Sequence, residues 1–376
     1  MTDPRFVKLA ENLVNYCCAV QPGDRVLIEF NGYERELFAA IIDATYKAGG
    51  MPFISEHDTI LKKHWLAGAT DEALEMQAEW EVARMKEMDC FIGVRVTENA
   101  YDQADLAPEV MQRANTLLSS PVMEIRVPDT RWVVLRYPTA AMAQAAKMPT
   151  DKFTDFYFDV CNFDYSRMSK AMDALVQLLN RTDKIRIKGA GVDLSFSIKD
   201  IPAVPCDGRL NIPDGEVYTA PVKDSVNGYI TYNTPSPYQG KIYNAVHLEF
   251  ENGKIVKCSC DGDAMMQTAL QSIFDTDEGA RYVGEFAIGV NPYISEPLGD
   301  TLFDEKIKGS FHFTPGRCYK DAYNGNASAI HWDMVYIMRP EYGGGEIWAD
   351  DVLISKDGLF VIDELLPLNP ENLMNA

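Results

Sequence analysis

The sequence predicts an α/β half followed by a β-rich, α+β half, and three observations carry that expectation. Helix-like and strand-like patterns take turns over residues 1 to about 145, as in βαβ units built around a largely parallel sheet with flanking helices. Beyond Asp183 the pattern becomes short alternating strands broken by Gly, Pro and Asn, the mark of a β-rich domain. A length of 376 residues, at ~100–200 residues per domain, suits two domains, expected at 1–182 and 183–376.

In chain order, Phe6 to Val20 is amphipathic: Phe6, Leu9, Ala10, Leu13, Val14 and Cys17 recur three or four apart, and Gly23-Asp24 ends the helix they predict. Asp24 to Phe30 reads as a strand, and Tyr33 to Ala48 as a helix stopped by Gly49-Gly50. Met51 to Ser55 and Cys90 to Val96 read as buried strands on either side of a helix near Asp71 to Met88, with Trp132 to Tyr137 as a further strand. Phe153 to Asn180 is helical. Strands are then expected at Lys184 to Ile187, Asp193 to Ile198, Ala245 to Phe250 and Lys254 to Cys260, and a helix at Gly262 to Phe274. More strands follow around Gly309 to Thr314, Ala329 to Met338 and Asp350 to Ile362.

Composition narrows the function. With 35 Lys+Arg against 56 Asp+Glu the net charge is −21, which argues against nucleic-acid binding, since phosphate backbones are held by clustered cations. No stretch approaches ~18 uninterrupted apolar residues and the start lacks a signal-peptide pattern, so a cytoplasmic protein without membrane attachment is expected. The eight Cys show no framework spacing and are expected as reduced, mostly buried thiols. H-E-x-x-H, the P-loop and G-x-S-x-G are all missing. Gly189-Ala190-Gly191 lacks the third glycine of a dinucleotide fingerprint and reads as a turn.

Histidine is scarce, at 57, 64, 247, 312 and 331. In Ser310-Phe-His-Phe-Thr314 a period of two sets Phe311 and Phe313 on one face and His312 on the other. In Ile330-His-Trp-Asp-Met334 the same rule sets His331 beside Asp333, a natural two-ligand metal clip; the competing reading is a structural ion pair. Glu216, Glu285 and Glu305 lie among apolar or small residues, where an uncompensated carboxylate is costly, so they are either metal ligands or solvated strand ends. Together these acids and imidazoles match the donors of a centre for two divalent ions, Zn²⁺, Co²⁺ or Mn²⁺, at which a water between the ions is activated to hydrolyse an amide or a phosphate ester. Tyr319, seven residues after His312, is either an oxyanion donor, a metal ligand or a packed core aromatic.

Five segments resemble the M29 family of metallo-aminopeptidases, the aminopeptidase T group, in the family's order: Asn211 to Pro221, Gly284 to Pro292, Leu302 to Ile307, Gly309 to Tyr319 and Ile330 to Met334. Leu9 to Leu27 resembles its N-terminal half. The resemblance implies Glu216, Glu285, His312, His331 and Asp333 as metal ligands, Glu305 as a further ligand or acid–base group, and Tyr319 as a ligand or catalytic residue. It also implies a C-terminal metallopeptidase domain, short peptide substrates and a homodimer with enclosed active sites. Two spacings depart from the family: only 12 residues separate Tyr319 from His331 (331 − 319), and Glu305 stands seven before His312 (312 − 305). The rival expectations are another dinuclear hydrolase, acting on a phosphoester or another amide, and a binding protein on the same fold.

Overall fold

The apolar runs of the first half pair side by side as the alternation requires. A computed structural model describes residues 3–32, 34–99 and 101–375. By contacts the chain divides into two units, Met1–Phe163 with Gly208–Pro213, and Asp164–Asp207 with Asp214–Ala376. The division therefore falls ahead of helix Tyr165–Arg181, which packs on strands Val204–Cys206 and Glu216–Thr219 within the second unit.

The first unit holds a five-stranded sheet in the order Met51–His57, Arg25–Asn31, Cys90–Arg95, Arg131–Arg136, Asn211–Ile212, every pair parallel. Val26, Ile28, Ile92 and Val133 are fully buried at its centre, as parallel strands covered by helices on both faces must be. The strand at Met51–His57 corrects the expectation of a buried one: it is the sheet's edge, and Met51, Phe53 and Ile54 are exposed, because a strand paired on one side lacks the cover that central strands receive. The first helix runs Pro4–Asn12, capped by Asp3, and passes into a π-helical turn at Leu13–Cys17. Helix Arg35–Lys47 matches the expected one except that Tyr33 lies outside the described residues. Helices Thr59–Gly68, Pro108–Ala114 and Ser120–Asp129 were not legible in the pattern. The last carries Pro121 and Pro128, residues that ordinarily signal a loop.

In the second unit, an eight-stranded sheet runs from Lys254–Ser259 to Leu359–Phe360. Gly189-Ala190-Gly191 serves as the expected turn, joining its hairpin Lys184–Gly189 and Val192–Ser197. A five-stranded antiparallel sheet has the order Val335–Ile337, Ser310–Pro315, Val283–Gly289, Glu216–Thr219, Val204–Cys206. The two sheets meet through rings: Phe196 lies 5.1 Å from Phe286 and 5.2 Å from Phe313, and Phe250 5.8 Å from Phe313. That contact uses one face of the five-stranded sheet and leaves the other for polar residues. Among the described residues no helix is long and apolar enough to cross a membrane, and the eight cysteines are free thiols.

Candidate metal centre

Register decides what shares the polar face. Glu285 lies opposite Thr314, Ala287 opposite both His312 and Tyr218, and Gly289 opposite Glu216. With a side-chain period of two, Glu216, Glu285, His312 and Thr314 therefore project from one face, while Phe286, Phe311 and Phe313 project from the other. The face predicted for His312 is the observed one.

His331 and Asp333 arrive differently. The expected strand at Ala329 to Met338 is regular only at Val335–Ile337. His331 makes a single bridge to Gly316, and Asp333 lies outside any regular strand. Backbone bonds still tie the segment irregularly to the neighbouring strand, from Arg317 N–H to the Ile330 carbonyl at 2.8 Å, Trp332 N–H to that of Pro315 at 3.2 Å and Phe313 N–H to that of Met334 at 3.1 Å. Side chains hold the turn before it: the Asn326 amide donates to the carbonyls of Gly279 and Gly316, Asn324 to those of Pro221 and Val283, and Ala329 N–H to Asp277. Gly316 sits at φ 109°, and a Cβ there would come within 2.2 Å of the Ile330 carbonyl oxygen. Trp332 anchors the segment, its ring 4.8 Å from Tyr238, 5.3 Å from Tyr243 and 6.0 Å from Phe274.

The result is a buried acid–imidazole cluster. His312 Nε2 stands 3.0 Å from Glu285 Oε1 and its Nδ1 3.5 Å from Glu216 Oε2. His331 Nε2 stands 3.2 Å from Asp333 Oδ1 and 3.4 Å from Glu285 Oε2. Its Nδ1, 2.7 Å from the Arg317 carbonyl, can only donate there, which leaves Nε2 as the ligand nitrogen. Thr314 donates to Asp333 Oδ1 at 2.8 Å. Two groups with metal-binding spacing result, Glu216–Glu285–His312 and Glu285–His331–Asp333, sharing Glu285. A cation fits them: Glu216 Oε2, Glu285 Oε2 and His312 Nδ1 are buried and make no regular hydrogen bond among the described residues, facing imidazole or carboxylate atoms only at 3.4–3.5 Å, an arrangement that a bound ion would satisfy better.

Electrostatics agree. Burial works against a charged His312, yet Glu216 and the hydrogen bond to Glu285 carry its pKa up to about 9. Burial opposes a charged His331 as well, but Asp333 carries it up to about 11. Burial raises the Asp333 and Glu285 carboxyls, and the imidazoles more than reverse that, leaving both below the ordinary range. The pocket draws positive charge, which protons or a metal ion can supply.

Tyr319 and Glu305 stand at the edge. The Tyr319 ring lies 4.8 Å from His331 and 5.6 Å from Tyr218; burial, then Glu285 and Asp333, hold its phenol protonated. Glu305 belongs to neither group. Burial pushes its carboxyl up to about 8, and its Oε2 accepts from the Lys306 ammonium at 2.7 Å. Lys306 went unrecognised in the sequence, where its place directly after Asp304-Glu305, between Phe303 and Ile307, was the available signal. A third group, Cys206–Asp214–Glu216, has the spacing of a metal site too; burial, then Asp214, pushes the Cys206 thiol far up, and the Lys306 ammonium already lies against both acids.

The chain is similar to known proteins over most of its length. The family described as thermophilic metalloprotease (M29) matches residues 2–360. Aminopeptidase T of Thermus thermophilus is 25% identical over 357 residues, covering 85% of this chain and 86% of that one. The structure of wild-type AmpT from Thermus thermophilus superposes with a TM-score of 0.77 at 21% identity, over 96% of this chain and 99% of that one. The fold alone is shared with 2,5-dihydroxypyridine dioxygenase from Pseudomonas putida KT2440, at a TM-score of 0.60 and 15% identity over 96% and 98% of the two chains. With its acid–imidazole cluster in place and the family matched along nearly its whole length, this chain belongs to the M29 metalloproteases, as a homologue of aminopeptidase T.

Proposed function

We propose that the protein is a metal-dependent aminopeptidase that releases N-terminal residues from short peptides. The observation that carries this is the convergence of Glu216, Glu285, His312, His331 and Asp333, from four separate segments, on one pocket where three buried donor atoms make no regular hydrogen bond among the described residues. These residues would hold the metal, and a divalent ion there supplies a water ionised near neutral pH and a polarised scissile carbonyl. The two groups that share Glu285 are the places open to divalent ions. Around that chemistry, Asp333 and Glu285 offer anionic oxygens to a protonated or metal-oriented substrate amine. Tyr319, kept protonated, has an O–H to donate to the developing oxyanion. Glu305, whose carboxyl burial pushes up to about 8, is suited to pass a proton to the leaving amine.

The test compares leucine-aminomethylcoumarin with its N-acetylated form, using chelator-stripped protein resupplied with Zn²⁺, Co²⁺ or Mn²⁺. Cleavage of the free-amine substrate alone, and only with metal, is expected. Cleavage of the blocked substrate, or hydrolysis confined to a phosphoester panel, would overturn the assignment of substrate.

A further inference from the structure

Lys306 is the least expected residue of the cluster. It follows the short helix Thr301–Asp304, and its backbone is pinned where its carbonyl accepts from Asn291 N–H at 3.0 Å. Its ammonium is 3% exposed and lies 2.5 Å from Glu216 Oε1, 2.7 Å from Glu305 Oε2 and 3.7 Å from Asp214 Oδ1. Three carboxylates drawn around one buried point are what a metal ion would gather. Here an ammonium already stands at that point, beside the Cys206–Asp214–Glu216 group.

We propose that Lys306 supplies the positive charge a second divalent ion would bring to the Glu216 side of the pocket, so that each chain binds one ion, in the Glu285–His331–Asp333 group. The inference rests on the reading of this cluster as a metal centre and changes its stoichiometry. An ion on the Glu216 side would share a carboxylate with the ammonium: Glu216 Oε1 is held by Lys306, and only Oε2 faces His312. Placing a divalent ion on the other oxygen sets two cations on one carboxylate, and with both side chains buried their repulsion is poorly screened. The other group faces no such competitor. His331 is fixed by the Arg317 carbonyl and Asp333 by Thr314, so both ligands are oriented from behind. His312 then links the two halves, Nε2 to Glu285 and Nδ1 to Glu216, and Glu216 becomes a positioning residue braced by Lys306.

The experiment counts metal and needs no substrate. Purified protein is stripped with chelator, reloaded with an excess of Mn²⁺, Co²⁺ or Zn²⁺ alone, desalted and measured by inductively coupled plasma mass spectrometry. One ion per chain is expected in the wild type. Glu216→Gln should keep that ion and Asp333→Asn should lose it, whereas Lys306→Met, which frees the Glu216 side, should bind two. Two ions in the wild type, or loss of an ion in Glu216→Gln, would overturn the inference while leaving the metal centre standing. So would a folded Lys306→Met that still binds one. If Lys306→Met does not fold, the wild-type and Glu216→Gln counts decide alone. No bound ion in any protein would overturn the metal reading itself, and this inference with it.

Discussion

Thr314 donates to the same Asp333 oxygen that faces His331, so the hydroxyl fixes the direction of that carboxylate, while burial works against its charge and His331 does most to hold it. Removing the hydroxyl with Thr314→Val should weaken metal binding by ~10–100-fold, the usual effect of losing a partner behind a ligand; competition with a chromogenic chelator measures it, and an unchanged affinity would place Asp333 outside the ligand set. Asp304 tests the electrostatics away from the ligands. Burial pushes its carboxyl up to about 7, although Leu298 and Gly299 N–H groups donate to it. A raised folded-state pKa means the folded protein binds the proton more tightly, so this contribution to stability is complete below about 4 and is lost as pH rises toward about 7. The stability of the wild type relative to Asp304→Asn should fall over that window by at most ~1.4 kcal/mol per pH unit. Urea midpoints at a series of pH values report it, and a difference that widens with pH would contradict the sign.

At the scale of elements, the pocket depends on close backbone approaches. Gly289 ends the strand that carries Glu285, and a Cβ there would stand 2.4 Å from the Ile307 carbonyl oxygen and 2.9 Å from that of Glu305. Gly289→Ala should push the 305–307 segment away and cost ~1–3 kcal/mol, as overpacking does; denaturant titration gives the loss, and an Ala variant as stable as the parent would show that the segment moves freely. Trp332 plays the complementary part, filling space among Tyr238, Tyr243 and Phe274. Trp332→Ala should cost ~3–5 kcal/mol and should lower metal affinity as well, since its neighbours in sequence are His331 and Asp333. Loss of stability without loss of metal affinity would separate the anchor from the site.

For the molecule as a whole, the net charge of −21 implies self-repulsion in the folded state. Raising salt from ~0.01 M to ~0.15 M shortens the screening length from ~30 Å to ~8 Å, and the thermal midpoint of metal-free protein should rise. A falling midpoint would show that favourable ion pairs outweigh the repulsion.

The periodicities by themselves determined the alternating first half, the β-rich second half and the face on which His312 lies, because local side-chain alternation is written directly in the chain; which acids and imidazoles share one pocket was an expectation from residue chemistry and from a resemblance. Tertiary structure decided the rest. The strand at Met51–His57 has the composition of a buried strand, and only its place at the sheet edge exposes it. His331 and Asp333 looked like a strand pair, and their segment does bond to the neighbouring strand, but irregularly, with regular pairing only from Val335 on. Lys306 shows the limit most sharply: Glu216 is 90 residues earlier in the chain, and no local pattern reports a contact that forms only when a strand and a turn so far apart fold against each other.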